Sequence, residues 1–194
     1  MSMTVAAPRP VVLADALPRS VVRDAGLVLV AALLTALCAQ VEIPVPGSPV
    51  PISGQTFAVL LTGAALGARR GALGQALYVA LGLALPFYSG GDSGPSVLFG
   101  ATGGYLFGFI IAGYVVGRLA EMRQDRTFLR AFPAFTAGQI VIFGLGVPWL
   151  AISAGLSPAE AIDAGFTPFI VGGLLKSALA GLLLPAAWKL VGRR

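Results

Sequence analysis

Histidine is absent from this 194-residue chain, and cysteine occurs once, at Cys38. Those two gaps exclude a His/Cys zinc site, a Ser-His-Asp triad, axial haem ligation and an internal disulfide. Charge is scarce as well: 11% of the residues are Asp, Glu, Lys or Arg, less than half of the roughly 25% found in soluble domains. A phosphate-binding loop is also missing. The nearest match, Gly172-Gly173-Leu174-Leu175-Lys176-Ser177, lacks a glycine before the lysine and lies in an apolar run. What is there is apolar, with 57% hydrophobic residues and a mean hydropathy of +0.88. This is the composition of an integral membrane protein, and no acid/base pair, cofactor site or metal site marks it as an enzyme. Each crossing helix takes about 20 residues, which leaves no room for a separate soluble ATP-binding domain.

Apolar runs bounded by proline, glycine and charge predict an all-α bundle of six membrane-crossing helices, at about 21–41, 55–68, 71–87, 97–120, 131–154 and 167–190. The second and third are short and adjoin at Arg69-Arg70, where a tight turn keeps two arginines out of the bilayer midplane. Every basic residue except Lys176 then falls on one side: Arg9, Arg19 and Arg23; Arg69 and Arg70; Arg118, Arg123, Arg126 and Arg130; Lys189, Arg193 and Arg194. The opposite loops hold Glu42, Asp92, Glu160 and Asp163 and no base. Lys and Arg accumulate in short cytoplasmic loops, so both termini are expected in the cytoplasm, and the net charge of +5 reports orientation rather than a nucleic-acid partner. Residues 1–20, with Pro8, Pro10 and Pro18, read as a cytoplasmic lead-in, either mobile or lying on the surface, and 21–194 as one membrane domain.

Several residues stand out as candidates for function. Lys176 lies about nine residues into the sixth span, roughly 13 Å below its outer end, where an ionisable group suggests a functional site. Its ammonium suits a carboxylate or a carbonyl-rich ligand; the alternative is a lysine that snorkels or pairs with an acid. Pro44, Pro46, Pro49 and Pro51 stiffen the loop after span one into a roof for a cavity, or simply into a rigid turn. Gln55, just inside span two, offers a donor and an acceptor to a ligand or to a neighbouring helix. Phe87, Tyr88, Gly91 and Asp92 belong to an aromatic, glycine-rich loop that reads as a pocket wall and lid, or as a hairpin with interfacial aromatics. Tyr78 and Tyr105 are further candidate walls. Small residues four apart, as at Ala32 and Ala36, permit close helix packing, inside the bundle or against another subunit.

Five ordered motifs resemble the BioY family, the biotin-specific substrate-binding (S) components of energy-coupling-factor (ECF) vitamin transporters. They are Pro46-Gly47-Ser48-Pro49-Val50-Pro51 leading to Gln55-Thr56; Leu66-Gly67-Ala68-Arg69-Arg70-Gly71-Ala72-Leu73; Leu85-Pro86-Phe87 with Gly90-Gly91-Asp92-Ser93-Gly94; Thr102-Gly103-Gly104-Tyr105-Leu106; and Pro168-Phe169 leading to Leu174-Leu175-Lys176. The resemblance covers about residues 21–190. It implies an S-component fold in a bacterial cytoplasmic membrane that captures extracellular biotin. It also implies docking to a membrane coupling subunit and two cytoplasmic ATPases. By the same resemblance Lys176 stands near biotin's polar groups, Asp92 is a ligand contact in the lid at 90–94, and Ala32 with Ala36 forms the docking stripe.

The sequence departs from that family pattern at Gly173, where an acid is usual three residues before the lysine, and at Ala68 and Ala101, where proline is common. An unpaired buried lysine costs several kcal/mol, so weaker or altered ligand binding, or an acid supplied from elsewhere, is expected. The competing readings are a carrier of another small vitamin or organic solute, a small channel, or a scaffold built on the Gly63/Gly67, Gly104/Gly108 and Gly113/Gly117 pairs. A channel would need polar residues along several helices, and these spans lack them.

Overall fold

The computed structural model describes residues 11–191; Pro8, Arg9, Pro10, Arg193 and Arg194 lie outside the described residues. The helices are α1 (Val21–Ala39), α2 (Gln55–Leu66), α3 (Ala68–Gly82), α4 (Pro95–Leu98), α5 (Gly103–Glu121), α6 (Phe128–Ala154), α7 (Pro158–Gly165) and α8 (Ile170–Val191). Among the described residues seven helices have eight residues or more, against six predicted spans. The addition is α7, which lies in the loop expected before the last span. There Ser157 accepts from the Glu160 amide while Glu160 accepts from the Ser157 amide, with Pro158 as the first helical residue.

The span predicted over 97–120 is also broken. A single turn, α4, ends at Leu98, and the chain re-enters helix only at Gly103. Within the interruption the Gly100 carbonyl accepts both the Gly103 amide at 3.2 Å and the Trp149 indole N–H at 2.8 Å, which keeps that carbonyl paired. Among the described residues four stretches are long and apolar enough to cross a membrane: Val21–Ala39, Gly103–Glu121, Phe128–Ala154 and Pro158–Val191. α2 is apolar but shorter.

The turn between α2 and α3 falls at Gly67, two residues before the arginine pair. Its φ of 84° and ψ of 173° lie in a region open essentially to glycine alone. α2, α3 and α5 approach closely where glycines meet: a Cβ on Gly63 would stand 2.9 Å from the Gly113 carbonyl oxygen, and one on Gly71 3.0 Å from the same atom. Gly104 likewise abuts Trp149, and Gly117 abuts Ala68. These small-residue rows are therefore spent inside the chain, which removes the basis for a scaffold.

The predicted docking stripe meets the same correction. Ala32 is fully buried and Ala36 nearly so, packed in the core cluster that also holds Tyr78 and Val79, because the neighbouring α3 backbone approaches α1 at Gly74 beside Ala31. The exposed face of α1 carries Leu29, Val30, Leu33 and Leu37 instead.

One end of the bundle gathers the basic segments. Arg70 pairs with Asp15 at 2.9 Å and Asp24 at 3.1 Å, and Glu121 accepts the Ala68 amide at 2.9 Å. Val12 and Ala14 of the lead-in are buried there, so residues 11–17 pack onto the bundle. Trp188 near the end of α8 donates to Asp125 in the α5–α6 loop. In the middle, Thr35, Gln75 and Thr62 form a buried hydrogen-bonded chain linking α1, α3 and α2.

Candidate functional site

At the other end, the chain between α1 and α2 folds into a short hairpin in which Glu42 pairs with Ser53 and Ile43 with Ile52. Its base is closed by a bond from the Gly54 amide to the Val41 carbonyl. The loop after α3 lies beside it: Gln40 donates to the Tyr88 carbonyl and the Ser89 hydroxyl donates to Glu42 at 2.6 Å. Beneath these two loops, and between α2, α5, α6 and α8, is a cavity of about 210 Å³. Hydrophobic and aromatic walls with a few convergent polar groups are what a small-molecule site requires.

Lys176 reaches this cavity from α8, six residues or about 9 Å into the helix. Its ammonium donates to the Ser53 carbonyl at 2.5 Å and the Thr56 hydroxyl at 3.1 Å. Among the described residues it forms no ion pair, so the acid missing at Gly173 is not replaced by another. Its partners are neutral oxygens, so no acid competes with an incoming anionic or carbonyl group for the ammonium.

Gln55, Asp92, Tyr88 and Tyr105 line the same cavity. Gln55 is buried at the first residue of α2, and Asp92 is exposed at the rim. Tyr88 is almost wholly enclosed, with its hydroxyl donated to the Val79 carbonyl at 2.7 Å; burial pushes its phenol above the ordinary value, so it stays a donor. Tyr105 gives its hydroxyl to the Gly165 carbonyl at 2.8 Å and offers the cavity its ring. The structure thus brings together five of the eight residues expected to meet a ligand.

The other three stand back from it. Tyr78 is fully buried behind Tyr88, edge to face at 5.9 Å. Phe87 packs as a half-buried residue against the core. Gly91 has no side chain to offer, and the nearest group to a Cβ there is the Gln40 amide oxygen at 3.6 Å.

Sequence reasoning missed several cavity residues. Thr56 and the Ser53 carbonyl hold Lys176, and Glu42 with Ser89 ties the two roofing loops at the rim. Phe143 packs against Phe169 at 6.0 Å and Tyr105 at 6.2 Å to complete the aromatic wall. Gln139 of α6 also lines the cavity. Its signal was present, since it is a lone amide within an apolar span.

The chain matches the BioY family model over residues 7–193. It is 39% identical over 142 residues to a protein of Thermotoga maritima named biotin transporter BioY, covering 73% of this chain and 82% of the relative. It is 39% identical over 166 residues to the biotin transporter BioY of Rhodobacter capsulatus, covering 80% and 87%. A crystal structure of the S-component for biotin from an ECF-type ABC transporter superposes with a TM-score of 0.78 at 22% identity, over 87% of this chain and 92% of that one. The likeness to that structure gives the fold, and the four membrane-crossing stretches make this a multi-pass membrane protein. The sequence relatives and the family match together carry the assignment: the chain belongs to the BioY family.

Proposed function

We propose that this protein captures biotin from outside the cell as the substrate-binding component of an ATP-driven ECF transporter. The observation that carries the reading is Lys176, a half-buried ammonium with only neutral partners, set in an aromatic-walled cavity roofed by two tethered loops. Biotin supplies the complement: a carboxylate, a ureido carbonyl and an apolar bicycle with a thioether. Lys176, Gln55 and Asp92 hold its polar groups; Tyr88 and Tyr105 form walls, backed by Tyr78 and Phe87, while Gly91 gives the rim loop its turn.

In this reading α1, α2, α3, α5, α6 and α8 are six crossings of the bacterial cytoplasmic membrane, with both termini inside. Two features support it. The arginine-bearing segments meet at the end of the bundle away from the cavity, as basic cytoplasmic loops do. The acidic residues Glu42 and Asp92 stand at the cavity end. With no phosphate-binding loop of its own, the chain takes its energy from partners, a membrane coupling subunit and two cytoplasmic ATPases. The exposed Leu29, Val30, Leu33 and Leu37 face of α1, rather than Ala32 and Ala36, is the surface offered to the coupling subunit.

The test is a calorimetric titration of biotin into the detergent-purified protein, with Lys176→Ala beside it. One-to-one binding that the substitution weakens by about a hundredfold or more is the expected result. A folded, ligand-free parent protein that takes up no biotin overturns the reading.

A further inference from the structure

The cavity holds a second polar group whose capacity is unspent. Gln139 reaches it from the middle of α6 and is 5% exposed. Its amide nitrogen donates to the Gly173 carbonyl at 3.4 Å, whereas its amide oxygen, fully enclosed, has no hydrogen-bond partner among the described residues. The opposite orientation of the amide would set its oxygen against the Gly173 carbonyl oxygen, so the nitrogen bond fixes which atom is left over. An enclosed acceptor without a donor is costly, and one in a cavity wall calls for a donor.

Gly173 borders this amide. A Cβ there would stand 3.7 Å from Gln139 Cδ and 3.9 Å from its oxygen, in van der Waals contact with the amide face. Gly173 also lines the cavity and precedes Lys176 by less than one helical turn. The cavity lining therefore includes an ammonium donor on α8 and an unused neutral acceptor on α6. A carbonyl flanked by an N–H, as along the edge of a cyclic urea or a lactam, satisfies both at once, with the carbonyl on Lys176 and the N–H on Gln139.

Resting on the function proposed above, we infer that Gln139 is a specificity-determining residue that accepts a ring N–H of the ligand. It selects for a urea edge with its hydrogens intact. A neutral amide does this without adding a charge, so the positive charge of Lys176 stays available to the ligand.

The experiment compares biotin with biotins methylated at either ureido nitrogen, titrated into the full-length protein in detergent. The parent is expected to bind biotin at least tenfold more tightly than one of the two methylated forms. Gln139→Leu is expected to weaken biotin about tenfold, the cost of an unmet N–H in an enclosed site, and to abolish that preference. Gln139→Glu, which keeps an acceptor, is expected to retain it. A parent that binds all three ligands alike overturns the inference without any variant having to fold. So does a Gln139→Leu protein that keeps both its affinity and its preference, while biotin binding and its loss in Lys176→Ala leave the capture function standing. A folded parent that binds none of the three overturns the capture function and this inference with it.

Discussion

Replacing Trp188 by phenylalanine tests how α8, the helix that carries Lys176, is anchored at its far end. The indole N–H donates to Asp125 at 2.5 Å, and Asp125 is 2% exposed. The guanidinium of Arg126 lies 3.3 Å from the indole centroid and donates to the Val11 carbonyl at 2.9 Å. Phenylalanine removes the donor and trims the ring. A lost hydrogen bond to an enclosed carboxylate costs about 1.5–3 kcal/mol, and the smaller ring forfeits on the order of 1 kcal/mol of packing and cation–π contact. The sum, about 3 kcal/mol, corresponds to roughly 6–12 °C in the thermal midpoint of a chain this size. A double-mutant cycle with Asp125→Ala, read by thermal unfolding in detergent, should give a coupling of about 1.5–3 kcal/mol. Acid titration supplies an independent readout. Burial raises the Asp125 carboxyl above its ordinary value against the opposing Trp188 and Arg126 contacts, so its folded form holds the proton more tightly than its unfolded form. Its contribution is therefore fully present below the unfolded value of 3.8 and is lost as the pH rises through the raised folded value. Trp188→Phe should push that loss to higher pH. Additivity of the two substitutions within about 0.5 kcal/mol, with an unshifted acid profile, refutes the anchor.

Three further substitutions probe other parts of the molecule. Gly67→Ala forces a side chain into a glycine-only conformation and sets its Cβ 3.0 Å from the Glu121 carboxylate; it should lower stability by about 1–3 kcal/mol in the same melt, and an unchanged midpoint would count against the strain argument. Although burial alone raises the Asp15 carboxyl, the hydrogen bonds from Arg70 and from the Val12 amide hold it below the ordinary value of 3.8. Its stabilising contribution is thus present above that value and lost as the pH falls through the lowered one: amide exchange over residues 12–16 should accelerate there in the parent and already be fast at neutral pH in Asp15→Asn. Ser89→Ala removes an exposed tie between the roofing loops, so biotin should dissociate a fewfold faster with little change in the melting point; equal dissociation rates would deny the tie a gating part.

Much of the bundle was legible because apolar length and arginine placement are one-dimensional signals. The segments carrying Arg23, Arg70, Arg118 and Arg126 do converge at one end. What hydropathy averages away was lost. The break at 99–102 depends on a Trp149 that lies 49 residues along the chain from its carbonyl partner. The α7 helix announced itself as Ser157-Pro158-Ala159-Glu160, a capping box with proline at the first helical position, but its polarity read as loop. Within the site, Lys176 was readable because an intramembrane charge is conspicuous. Its partners were not, since a backbone carbonyl at Ser53 and a hydroxyl at Thr56 are chosen by the hairpin's geometry. Spacing placed Ala32 and Ala36 on one face and could not say which way that face turned.

The division of the molecule into a fixed middle and a separately built cavity end follows from the same contacts. Where Gly63, Gly71 and Gly113 meet, a methyl group would strike main-chain atoms within about 3 Å, so the α2, α3 and α5 backbones cannot be retuned by side-chain exchange. Thr35, Gln75 and Thr62 hydrogen-bond to one another there, so these three groups are spent on the bundle. The cavity is instead made from pieces outside that knot: the hairpin after α1, the loop after α3, the aromatic seam of Tyr105 and Phe143, and the outer half of α8. Gly173 belongs to this outer half of α8. The position faces the cavity and a neighbouring amide, so on the function proposed above a side chain there bears first on what the site recognises.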